Sequence, residues 1–202
     1  MSLNQVSLFF ALLALGANIF ALGVASVLLG ARVSARLEPL DLRIRDSLDP
    51  NPLPLAFLVA AVATLGSLYL SEIAHLVPCR LCWYQRIAMY PLAVLFGVAW
   101  WRRAKDVWWY GLPIATVGAL ISTYHYVVQW QPSLESGSCS ATVPCSAVYL
   151  RKLGFMSIPY MALSGFLAII ALCLFMREVP NQRDIGETRD GADEVAKAAS
   201  NT

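Results

Sequence analysis

The chain has 202 residues, 58% of them hydrophobic and 14% charged, with a net charge of +2 and a mean hydropathy of +0.59. Soluble domains carry about 25% charged residues, so an ordinary soluble globule is excluded and a membrane domain is expected. No basic patch is large enough to argue for a nucleic-acid partner.

In chain order, Val6 to Ala31 carries no charge and is long enough to cross a hydrocarbon layer of about 30 Å. A signal peptide competes with this reading, because Val33-Ser34-Ala35 offers small residues for cleavage. The start lacks a positive region and the apolar run is long, so an uncleaved helix is expected. Arg32 to Pro54 mixes four arginines with four acids and ends in Pro50-Asn51-Pro52-Leu53-Pro54. It reads as a polar connector, with room for a surface helix in its middle.

Leu55 to Ser71 forms a second uncharged run, followed by Glu72 and His75 and then by Pro78-Cys79-Arg80-Leu81-Cys82-Trp83-Tyr84-Gln85-Arg86. A third run continues from Trp83 to Trp101 and contains Pro91, a fourth covers Val107 to Val128, and a fifth covers Phe155 to Met176. Aromatic residues at the two ends of the fourth, Trp108, Trp109 and Tyr110 against Tyr124, Tyr126 and Trp130, match interfacial belts. Between the fourth and fifth runs lies a polar loop, Gln129 to Gly154, which carries Cys139 and Cys145 and is expected to be mobile. The remainder from Arg177 is polar and reads as a disordered tail. The expected fold is an all-α membrane protein, with a four-helix transmembrane core over 55–176, an additional N-terminal helix and cytoplasmic connector over 1–54, and a cytoplasmic tail over 177–202.

Basic residues set the orientation. Arg32, Arg36, Arg43, Arg45, Arg102, Arg103, Lys105, Arg177, Arg183, Arg189 and Lys197 fall on one side, against Arg80, Arg86, Arg151 and Lys152 on the other. The positive-inside rule puts the larger set in the cytoplasm, and both cysteine pairs outside it, where disulfides persist.

Two thiols separated by two residues at the start of a helix can close a disulfide or share a metal, and the helix N-terminus lowers a thiolate pKa. Zinc needs further ligands, and besides the other cysteines only His75 and His125 are available. No metal site is therefore assigned. Two pairs on one face can exchange electrons through a mixed disulfide. Arg86 follows Cys82 by four residues and is expected on the same helix face, where it would favour the Cys82 thiolate. An arginine that only anchors the helix in headgroups is the competing reading. Cys173, inside the fifth run, reads as a small buried apolar residue.

The run from Cys79 to Arg86, the surrounding spans, and Cys139-Ser140-Ala141-Thr142-Val143-Pro144-Cys145 together resemble the DsbB family of quinone-dependent disulfide-forming membrane proteins, over roughly Leu55 to Met176. The resemblance implies an enzyme in the bacterial inner (cytoplasmic) membrane. It would reoxidise a thioredoxin-like, DsbA-type thiol oxidase outside the cytoplasm and pass the electrons to a membrane quinone, ubiquinone or menaquinone. By the same resemblance Cys139 meets the partner, Cys145 exchanges with Cys79, Cys82 faces the quinone and Arg86 binds or polarises it. His125 lies near where some members carry a histidine discussed in quinone binding. The additional N-terminal helix departs from the family, and the Cys139/Cys145 pair is closer than in its enterobacterial members.

A vitamin K epoxide reductase-like protein also joins a C-x-x-C to a quinone, but there the loop pair precedes the C-x-x-C. A membrane scaffold with two structural disulfides is the non-enzymatic alternative. A metal transporter would require polar residues in mid-span, and these spans hold almost none.

Overall fold

The computed structural model describes residues 3–33, 52–135, 139 and 143–178, with side chains left undescribed at 3–4, 27–33, 105 and 178. The surface helix expected in the connector and the disordered tail fall on 34–51 and 179–202, outside the described residues. Among the described residues, five helices are long and apolar enough to cross a membrane: α1 (Leu3–Val33), α2 (Leu53–Leu68), α3 (Arg80–Arg102), α4 (Trp108–Trp130) and α5 (Ile158–Glu178). The expected all-α membrane architecture, four core helices plus one N-terminal helix, is the observed one.

Local chemistry explains where the boundaries moved. Pro54 sits in the first turn of α2, where its missing N–H is not needed. At its other end α2 widens into a π-helical turn, Tyr69–Ile73. α3 begins at Arg80 rather than Trp83 because Cys79 caps it: its backbone is extended and its sulfur accepts the Cys82 N–H. Pro91 does not interrupt it. Arg103, with φ 55°, ends α3 by donating its N–H to the Ala99 and Trp100 carbonyls, a left-handed stop. The fifth span starts at Ile158 rather than Phe155, because the preceding residues form a short hairpin, β1 (Arg151–Lys152) paired antiparallel with β2 (Met156–Ser157). Leu153 and Gly154 supply the positive φ values of that turn.

α2, α3, α4 and α5 enclose a core in which Leu92, Phe96, Phe166, Ile169 and Leu172 are fully buried. Glycine permits the closest approach: the Phe166 ring lies where a side chain at Gly118 would start, so α4 and α5 meet across that position. α1 stands outside this quartet and packs chiefly on α5, where the Asn18 amide donates to the Tyr160 hydroxyl at 3.1 Å. Outward residues such as Ile19, Leu22, Val94 and Leu120 are exposed and apolar, which suits lipid contact.

Candidate functional site

The site forms where α3 starts and α4 ends. As the cap of α3, Cys79 is held with its sulfur 3.4 Å from the Cys82 amide and 3.1 Å from the Cys82 sulfur. Both thiols are free, Cys79 buried and Cys82 half-buried. From α4, His125 projects between them and the loop, only 2% exposed. Its Nε2 lies 3.6 Å from Cys79 Sγ and 3.1 Å from the Cys145 carbonyl oxygen, while Nδ1 lies 3.2 Å from Gln85 Nε2. A carbonyl can only accept, so Nε2 carries the hydrogen and Nδ1 accepts from the Gln85 amide. The single Nε2–H goes to the Cys145 carbonyl and has the Cys79 sulfur beside it as a second, longer acceptor.

The Cys79 thiol is accordingly held well below its ordinary pKa. Hydrogen bonding from the Cys82 thiol contributes most, and the His125 imidazole and the Cys82 backbone N–H add to it against the opposing effect of burial. Arg86, expected on one face with Cys82, finds its hydrogen-bond partners on α2. The Arg86 guanidinium turns to α2, with Nε donating to Ser67 Oγ and Nη2 to the Ser67 carbonyl, each at 3.0 Å, and it lies 5.1 Å from the centre of the Trp83 ring. The sulfur gathered in by the helix N-terminus and the imidazole is that of Cys79. The π-helical turn beginning at Tyr69 places the Ser67 carbonyl where Arg86 and the Ser71 hydroxyl both reach it, an instance of a local helix irregularity at a functional site.

Cys139 and Cys145 are joined in a disulfide. Sequence reasoning expects this loop to move freely. Instead Cys145 is fully buried in one apolar cluster with Cys79, Leu81 and Val128, and Cys139 packs against its margin. Glu135 fastens the loop by accepting from the Cys145 N–H at 2.6 Å and from the Ser146 hydroxyl at 2.8 Å. Tyr124 and Gln129 donate from α4 to the Leu134 and Ala147 carbonyls. Burial of Cys145 is favourable only because its polar backbone is satisfied in this way. Residues 136–138 and 140–142 lie outside the described residues.

The structure thus brings together Cys79, Cys82, His125, Cys139 and Cys145, and sets Arg86 to one side of them. His125 is more central than its helix-end position suggested. Cys79, Cys82 and His125 also place three metal-capable atoms within 4.8 Å, a third donor that spacing did not foresee. A closed structural zinc site takes four, and His75 is exposed and not in this group. Gln85, Ser67 and Glu135 were missed. A polar residue within a membrane segment is itself a signal of function, and Gln85 and Ser67 each meet that description.

Beneath the thiols a cavity of about 680 Å³ opens between α1, α2, α3 and α5. Cys82, Gln85, Arg86 and Ser67 stand on its wall, and most of the remaining lining is apolar. Three hydrogens of the Arg86 guanidinium are left over after Ser67 has taken two. An apolar chamber with a few converging donors beside a thiol pair fits the carbonyl ring and hydrocarbon tail of a quinone.

The chain is 46% identical over 125 residues to disulfide bond formation protein C of Bacillus subtilis, covering 61% of this chain and 91% of that protein. It is 45% identical over 131 residues to a probable disulfide formation protein of Oceanobacillus iheyensis, covering 63% and 90%, and 41% identical over 123 residues to one from Coxiella burnetii, covering 60% and 82%. No solved structure matches the chain. The family model described as disulfide bond formation protein DsbB matches residues 51–176, which hold all four cysteines of the two pairs, and the chain therefore belongs to the DsbB family.

Proposed function

We propose that this multi-pass membrane protein makes disulfides for a thioredoxin-like thiol oxidase outside the cytoplasm of a bacterium and delivers the electrons to a membrane quinone. The observation that carries the reading is the His125 bridge: one imidazole nitrogen touches both the Cys79 sulfur and the Cys145 backbone, so the two pairs meet in one buried cluster.

The thiolate of the partner attacks Cys139, the more accessible sulfur of the loop disulfide, and releases Cys145 into the cluster beside Cys79. Closure of the partner's disulfide leaves Cys139 and Cys145 as thiols. Exchange with a Cys79–Cys82 disulfide then restores the loop disulfide and leaves Cys79 and Cys82 as the dithiol. To close their disulfide again, Cys79 and Cys82 lose two electrons and two protons, and a bound quinone supplies the matching acceptor chemistry by taking both to become the quinol. Arg86 would orient the ring carbonyl from its Ser67 seat, and the apolar walls would exclude water.

The eleven-to-four distribution of basic residues supports an inner-membrane orientation with both pairs outside. The deciding assay mixes purified full-length protein, a reduced thioredoxin-like oxidase and ubiquinone or menaquinone, and follows quinol formation by absorbance. Absence of quinol while the partner's thiols persist rejects the proposal.

A further inference from the structure

α1 lies outside the region that matches the family, 51–176, yet it forms one side of the cavity at the thiols. Phe10, Ala17 and Phe20 line the same space as Cys82 and Arg86. The Phe10 ring rests on Gly66, where an added Cβ would meet it at 2.6 Å, and Gly66 is the neighbour of the serine that seats Arg86. Ser7, Ala11 and Ala14 are buried on α1, Ser7 and Ala14 beside the same cavity, and their short side chains permit close helix packing. The Asn18 bond to Tyr160 adds a polar tie to α5.

From this placement we infer that α1 is the wall that recognises the hydrocarbon tail of the electron acceptor, so that this chain selects quinones carrying an isoprenoid chain over the bare ring. The inference rests on the quinone reading above and adds what α1 does for it. The ring needs the donors and the sulfur found at Cys82, Gln85 and Arg86. A flexible apolar tail needs apolar area, and α1 contributes Phe10, Ala17 and Phe20 to a chamber whose 680 Å³ exceeds what a single small ring fills. Each methylene held there adds to affinity through burial.

The test uses full-length protein in lipid vesicles, with two quinones of identical ring, one bearing an isoprenoid tail and one without it. Ala17→Phe, which fills the chamber, should raise the apparent KM for the tailed quinone about ten-fold more than that for the tail-free quinone, the effect of losing roughly two buried methylenes. Phe10→Ala, which removes wall area instead, should move selectivity in the same direction. Tryptophan fluorescence titrated with each oxidised quinone reads binding apart from turnover, and the unfolding midpoint in detergent reports that each variant is folded. Equal effects on both quinones, or none on either, overturn the role of α1. Wild-type protein that reduces neither quinone overturns the acceptor assignment, and this inference with it.

Discussion

Replacing His125 tests the link between geometry and thiol chemistry directly. Its Nε2–H reaches the Cys79 sulfur at 3.6 Å, long for a hydrogen bond, so the contribution belongs at the low end for bonds to a charged group, about 1.5 kcal/mol. Since 1.36 kcal/mol corresponds to one pKa unit, His125→Ala should raise the Cys79 pKa by about one. His125→Gln, which keeps an N–H donor on a side chain of similar reach, should recover part of the difference. Because folding lowers this pKa, the reactive thiolate is present above the folded value and disappears as pH falls through it. In the variant the loss therefore begins at higher pH. The assay is the rate of Cys79 alkylation against pH in protein with the loop disulfide intact, the alkylated residue being identified by peptide mapping. An unchanged inflection in His125→Ala would refute the reasoning, and would mean that Cys82 and the helix N-terminus alone set the thiolate.

Cys139→Ser or Cys145→Ser should abolish oxidation of the partner while Cys79 and Cys82 still react with quinone, whereas Cys173→Ser, buried in the core, should alter neither; stopped-flow thiol and quinol measurements separate the three. Ser67→Ala removes the hydroxyl that accepts from Arg86 Nε and leaves the carbonyl that accepts from Nη2, and should raise the quinone KM about five-fold, the worth of roughly one hydrogen bond, with Arg86→Gln larger; equal values for wild type and both variants reduce Arg86 to a helix anchor. Gly118→Ala drives a methyl into the Phe166 ring and should cost ~1–3 kcal/mol, read as a lower unfolding midpoint in detergent. After reduction, membrane-impermeant thiol reagents should label Cys139 in intact cells, and labelling confined to permeabilised cells contradicts the proposed orientation.

Five spans, the two cysteine pairs and the family resemblance were all legible in the sequence, for a physical reason. The bilayer demands long uncharged runs whose backbone bonds are satisfied internally, and such runs are visible in composition alone. The C-x-x-C at the head of one run is equally local. α3 starts three residues before the apolar run because a cysteine sulfur, not a usual capping oxygen, accepts the Cys82 N–H in its first turn. The hairpin before α5 depends on Leu153 and Gly154 turning the chain back on itself, which hydropathy does not register. Only tertiary structure could bring His125, 46 residues from Cys79 along the chain, between the two pairs, bury Cys145 under the Glu135 clamp, and turn Arg86 toward Ser67. Helical spacing fixes which side chains share a face, but the direction in which an arginine reaches is decided by acceptors on another helix. The same holds for α1: its sequence says that it can cross a membrane, and its contact with Gly66 says which chamber it closes.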